Sequence, residues 1–114
     1  MKRDDAHVLL DIAHAARLVT KFVAGTDQAG FEADDMRRSA VLHELLVIGE
    51  AVKRLSPGFR SRNPGVPWSR MAGMRDRLIH AYDEVDLEEV WRTATSDIPD
   101  LLNRLKPLLP PENP

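Results

Sequence analysis

The chain has 114 residues, 43% hydrophobic and 30% charged, with a net charge of −2, the proportions of one ordinary globular domain long enough to bury a core without staples. It contains no cysteine, which excludes a disulfide framework and thiolate metal sites. No apolar run approaches the roughly 20 residues of a membrane span, and the opening MKRDDAHVLLD sets charges on both sides of a very short apolar run, so no signal peptide, no membrane association and a cytoplasmic location are expected.

The segment DDAHVLLDIAHAARLVTKFVAG reads as a first helix. Val8, Ile12, Ala16, Val19 and Val23 keep i+3/i+4 spacing, with Leu9 and Phe22 widening the stripe. Asp4 or Asp5 can cap its start, and Gly25 is a suitable stop. Residues 26–33, with Gly30, read as a connector. A second helix is predicted over 34–55, with Val41, Leu45, Ile48, Val52 and Leu55 close to heptad spacing, the pattern of a helix that pairs with another. Residues 56–67, SPGFRSRNPGVP, hold three Pro and two Gly and read as a loop. A third helix is predicted from Pro67 to about Ala81, with Met71, Met74 and Leu78 as its apolar row and Ile79 beside it. A fourth opens at Asp86, with Glu89 placed as in a capping box. Val90, Ala94, Ile98, Leu101, Leu105 and Leu108 make its stripe, and Pro99 predicts a bend. No strand alternation and no repeat is visible. The expected fold is all-α: one domain over 1–109, a bundle of four main up-and-down helices with a Pro/Gly-rich loop before the third, and a short Pro-rich tail at 110–114.

Charge is unevenly spread. Residues 53–77 hold seven basic side chains and one acid, a charge of +6, so the remainder carries −8 within the net −2. Such a segment either attracts polyanions or is simply a solvated basic stretch. Within it begins MRDRLIHAYD, where Arg75, Asp76, Arg77, His80, Tyr82 and Asp83 crowd one helical segment. Asp76 and His80 are four apart and neighbours on a helix, so the carboxylate could hold the imidazole in one tautomer. Arg75 and Tyr82, seven apart, share a face. Arg75 and His80 are five apart, about 140° around an ideal helix. One helix alone does not force both onto a single atom, although a long Arg and a His near the helix end could converge; two copies packed about a two-fold axis could line one cleft with both pairs. Arg offers planar paired donors to a phosphate, His carries protons near neutrality, and RNA brings its own 2′-hydroxyl nucleophile. RNA cleavage would then need only proton transfer and stabilisation of the charged phosphorane, with no cofactor and no metal. Taken alone, the spacing favours an ordinary charged helix end, because Arg followed five residues later by His often arises by chance.

Other candidates are less pointed. His7, Asp11 and His14 fall at i, i+4 and i+7 and could share a face as metal ligands, but no HExxH pattern accompanies them. Glu50, in VIGEAV, interrupts apolar surroundings and reads as a rim residue or as a carboxylate bordering an interface. Trp68 and Trp91 read as core anchors.

Four stretches together, LLDIAHAARLV, AVLHELLVIGEAVKRLSP, NPGVPWSRMAGMRDRLIHAYDEVDLEEVW and DIPDLL, make the chain resemble, over nearly its whole length, the HepT-like toxins of the HEPN superfamily. The family's motif is Arg, a polar residue, three further residues, His, any residue, Tyr, and it matches Arg75, Asp76, His80 and Tyr82 without departure. The resemblance implies a metal-independent endoribonuclease acting as a homodimer, with Arg75 and His80 catalytic and Asp76 supporting His80. It also implies the toxin of a type VII toxin–antitoxin pair, acting on tRNA or mRNA. The partner would be a minimal nucleotidyltransferase antitoxin that transfers AMP to Tyr82. Arg70 and Arg77, in the basic segment, are expected to guide RNA. The alternative it leaves open is a catalytically inactive HEPN module that binds nucleotide or RNA or acts as a scaffold for a nucleotidyltransferase.

Overall fold

The amphipathic stripe of the first predicted helix is realised in α1 (Arg3–Val23). Leu9, Ile12, Ala16 and Val19 are fully buried along it, each large apolar side chain contributing about 1.5–3 kcal/mol of transfer free energy. The structure, a computed structural model, describes residues 3–80 and 84–111. Gly25 stops the first helix by turning to φ +77°, a conformation an L side chain rarely adopts.

The predicted connector after Gly25 is corrected by a short helix, α2 (Gln28–Ala33). The Asp27 carboxylate accepts from the Gly30 N–H at 2.8 Å, and Phe31 is fully buried with its ring 5.5 Å from that of Trp91. A cap and one aromatic anchor are enough to hold a six-residue helix that would not stand alone. α3 (Asp35–Arg54) follows, with the Asp34 side chain as cap on the Arg37 N–H. It buries Val41, Leu45, Ile48, Gly49, Ala51 and Val52.

The predicted loop at 56–67 likewise contains a helix, α4 (Pro57–Arg62). Ser56 caps it by accepting from the Phe59 N–H, Pro57 occupies the first turn, where no backbone donor is needed, and Phe59 is buried with its ring 6.2 Å from that of Trp68. Asp5, itself buried, accepts from the Ser56 N–H at 2.9 Å and the Ser56 hydroxyl at 2.7 Å. The start of α1 is thereby fastened to the start of α4.

α5 (Trp68–His80) carries the motif. Trp68 donates its indole N–H to the Asn63 carbonyl at 2.9 Å, which fixes the entry to the helix. Met71, Met74 and Leu78 are buried, whereas Ile79 is exposed. The last predicted helix is divided. α6 (Leu87–Arg92) is capped by Asp86 through the Glu88 N–H, while the Glu89 carboxylate, expected to complete a capping box, pairs instead with Arg77. A π-helical turn (Thr93–Asp97) follows, in which the Ile98 N–H reaches back to the Thr93 carbonyl. Then come α7 (Ile98–Leu105) and a single 3-10 turn (Lys106–Leu108). Pro99 cannot donate to the turn before it, and the wider turn stands where the bend was expected.

The architecture is all-α, with no strand among the described residues. α3 is packed between α1 and α5, and α1 also receives α7. α5 rests chiefly on α3.

Candidate functional site

The site is built where α5 crosses α3. Gly49 makes the close crossing possible: a Cβ there would lie 2.1 Å from the Arg75 Cβ and 2.9 Å from the Met71 carbonyl oxygen. With no side chain at that point, Arg75 lies down over α3 and meets the next residue, Glu50. Glu50 Oε1 accepts from Arg75 Nε at 2.7 Å and forms an ion pair with Nη2 at 2.5 Å. Arg75 Nη1 donates to Asp76 Oδ1 at 2.9 Å, and the same oxygen accepts from Lys53 Nζ at 2.6 Å. Lys53 stands three residues after Glu50 and so shares its side of α3. The result is a four-charge chain, Glu50–Arg75–Asp76–Lys53, alternating in sign and summing to zero.

Lys53 first, and Arg75 next, hold the Asp76 carboxyl below its ordinary value. Asp76 and then Glu50 raise the Arg75 guanidinium above its own. All four side chains are partly open to solvent, where pairs of this kind contribute little stability. Their significance is geometric.

His80 ends α5 and is exposed. The Asp76 carboxylate is directed to Lys53 and Arg75 rather than to His80, so the expected i, i+4 pairing is not formed within one chain. Tyr82 lies outside the described residues.

A second feature lies on a different side of α5. Arg70 and Arg77 face α6 and the π-turn across a cleft of about 500 Å³, whose far wall includes Glu89, Arg92 and Asp97. Arg70 contacts Asp97 at 3.3 Å and Arg77 pairs with Glu89. Arg92 was not singled out by the sequence, and it makes no ion pair among the described residues. Asp11 of the His7–Asp11–His14 set pairs with Arg54 at 3.6 Å, and among the described residues no group of three His, Asp or Glu is placed to hold a metal ion.

Two participants went unassigned in the sequence. Glu50 read as a rim or interface carboxylate and Lys53 as one more basic residue of a charged segment. The available signal was the triplet spacing of Glu50 and Lys53 beside a glycine in an otherwise apolar helix face.

The family model described as ribonuclease HepT-like matches residues 12–108. The chain is 40% identical over 108 residues to a Thermococcus cleftensis protein named "Probable ribonuclease HepT", covering 95% of this chain and 98% of that one. A candidate RNase of Methanocaldococcus jannaschii is 37% identical, over 88% of this chain and 92% of its own. A further candidate RNase, from Caldanaerobacter subterraneus, is 40% identical over 79% of this chain and 80% of its own. No solved structure matches the chain. With a family match spanning 12–108 and relatives aligned nearly end to end, the chain belongs to the HepT-like ribonuclease family.

Proposed function

We propose that the protein is a metal-independent endoribonuclease, the toxin of a type VII toxin–antitoxin pair, acting as a homodimer on tRNA or mRNA. The observation that carries this reading is the motif on α5, with Arg75 held at the α3 crossing and His80 exposed one and a half turns further on. Attack by the 2′-oxygen forms a new O–P bond to the adjacent phosphorus and breaks the bond to the 5′-oxygen. One proton leaves the 2′-hydroxyl and one must reach the departing 5′-oxygen. His80 transfers protons, and the His80 of a second copy supplies the other role. Arg75 neutralises charge developing on the phosphorane oxygens. The substrate supplies the nucleophile, so no metal-bound hydroxide is required, and the products carry 2′,3′-cyclic phosphate and 5′-hydroxyl ends. Asp76 acts through Arg75, to which it is bonded within the chain as it is to Lys53.

Helix geometry supports the dimer. Ser69, Gly73, Asp76 and His80 fall on one side of α5 by their spacing, and a Cβ on Gly73 would meet nothing within 4 Å. A second α5 can approach closely along that stripe, bringing two motifs to one cleft. The cleft of Arg70, Arg77 and Arg92 supports guidance of the RNA backbone. The partner in this reading is a minimal nucleotidyltransferase antitoxin. Its transfer of AMP to the Tyr82 phenol would add negative charge and bulk to the motif and so exclude RNA.

The test is cleavage of total tRNA and mRNA by purified protein in chelator, free of any partner, for wild type and His80→Ala, with the product ends analysed. Cleavage by wild type alone, leaving cyclic phosphates, is the expected result. Binding of RNA without cleavage by a folded dimer, shown unmodified at Tyr82 by intact mass, would refute the nuclease and favour an inactive binding module.

A further inference from the structure

The guanidinium of Arg75 has five N–H donors. Two are hydrogen-bonded, Nε to Glu50 Oε1 and Nη1 to Asp76 Oδ1, while Nη2 lies 2.5 Å from the same Glu50 oxygen as an ion pair. Each terminal nitrogen keeps at least one hydrogen outside these bonds. The Nε edge is thus clamped, while both terminal nitrogens keep a donor for an incoming oxyanion. The clamp comes from a different helix than the arginine, and it reaches Arg75 only because Gly49 has no Cβ to keep α5 away. A free arginine side chain explores many rotamers, and fixing one costs up to about 2 kcal/mol. Resting on the ribonuclease function proposed above, we infer that Glu50 is a positioning residue of the nuclease site: by holding the Nε edge of Arg75 from α3, it sets the guanidinium plane that the terminal nitrogens present to the scissile phosphate.

Glu50 does not need to touch RNA for this role. It also keeps the resting site electrically neutral, because its charge and that of Asp76 offset Arg75 and Lys53. A phosphate arriving at the terminal nitrogens leaves the Nε bond to Glu50 in place; the Glu50 side chain is 49% exposed and that of Arg75 22%. An oxygen acceptor at position 50 is the essential property. The negative charge strengthens the bond and is not required for orientation.

The experiment is a double-mutant cycle on RNA cleavage with Glu50→Ala, Glu50→Gln, Arg75→Ala and Glu50→Ala/Arg75→Ala. It is joined to NMR observation of the Arg75 Nε–H in the full-length protein. Glu50→Ala is expected to lower kcat about 10- to 100-fold, the range associated with misplacement of a catalytic group, with KM little changed. Glu50→Gln, which retains the acceptor oxygen, is expected to recover most of that loss. On the Arg75→Ala background, Glu50→Ala should cost nothing further, since it acts through the missing guanidinium. The Arg75 Nε–H resonance should be sharp and slowly exchanging in wild type and Glu50→Gln, and lost to exchange in Glu50→Ala. Additive losses in the cycle, or equal loss in Glu50→Gln and Glu50→Ala with an unchanged Nε–H resonance, would overturn the inference while leaving the ribonuclease intact. A wild-type protein that cleaves no RNA would instead overturn the ribonuclease function, and this role of Glu50 with it.

Discussion

Substituting Gly49 by alanine tests the crossing on which the site depends. In an open helix the change would stabilise the protein by about 1 kcal/mol, because alanine is the better helix former. Here the added Cβ would stand 2.1 Å from the Arg75 Cβ and 2.9 Å from the Met71 carbonyl oxygen. Carbon atoms rest at about 3.5–4.0 Å, so α3 and α5 must part by more than about 1 Å. The nearest obstacles are a Cβ and a backbone oxygen, neither of which can swing aside without moving α5 itself. Overpacking of this kind costs typically 1–3 kcal/mol and occasionally more; a contact as short as 2.1 Å puts the cost at the upper end, so after the propensity gain a net loss of about 2 kcal/mol is expected. At about 2.1 cal/mol/K per residue, the 114 residues unfold with roughly 240 cal/mol/K, and that loss lowers Tm by about 8 °C. Thermal unfolding followed by circular dichroism measures it. RNA cleavage by the folded variant should fall as well, by about 10²-fold for a displacement near 1 Å. A Gly49→Ala protein as stable as wild type, with cleavage retained, would refute the close-crossing argument.

Asp5→Ala removes the acceptor of both the Ser56 N–H and its hydroxyl. Leaving such groups unsatisfied costs about 1–3 kcal/mol, or roughly 4–12 °C in Tm on the same slope; a Tm within about 1 °C of wild type would show that water replaces the carboxylate. The Asp76 carboxyl, held below its ordinary value by Lys53 and then Arg75, contributes its pairing above the usual carboxylate range and loses it as the pH falls through the lowered value. Carboxyl NMR titration should show this, and Lys53→Met should move the titration upward but not fully to the ordinary value, because Arg75 remains; no movement would remove Lys53 from the network. Arg92→Gln should lower the slope of log affinity against log salt for uncleavable 2′-O-methyl RNA by about 0.7, the share of one phosphate contact on a single strand. An unchanged slope would take the cleft between α5 and α6 out of the RNA path.

Long periodic helices were legible in the sequence because their stripes run through several turns. Leu9, Ile12, Ala16 and Val19 mark α1, and Val41, Leu45, Ile48 and Val52 mark α3. The two short helices were not. α2 and α4 each have six residues, too few for a period to declare itself, and their Gly and Pro content reads as loop. What holds them is tertiary: Phe31 against Trp91 and Phe59 against Trp68. Pro99 announced an interruption of the last helix, but the form of the repair, a wider turn closed by the Ile98 N–H on Thr93, depends on what the surrounding helices accommodate.

The same division runs through the site. Spacing alone picked out Arg75, Asp76 and His80, and for Asp76 it offered the nearest partner on the same helix, His80. The structure offers an ammonium from α3, 23 residues away in sequence, at 2.6 Å, and a guanidinium one residue away. Adjacent residues on a helix diverge by about 100°, so Arg75 and Asp76 bond to each other only because both are drawn toward the α3 surface, where Glu50 and Lys53 stand one turn apart. Gly49 is what brings that surface within reach. The motif on α5 is therefore one wall of the site. The other is a face of α3 whose members are linked to the motif through space, by a close helix crossing that periodicity within either helix does not encode.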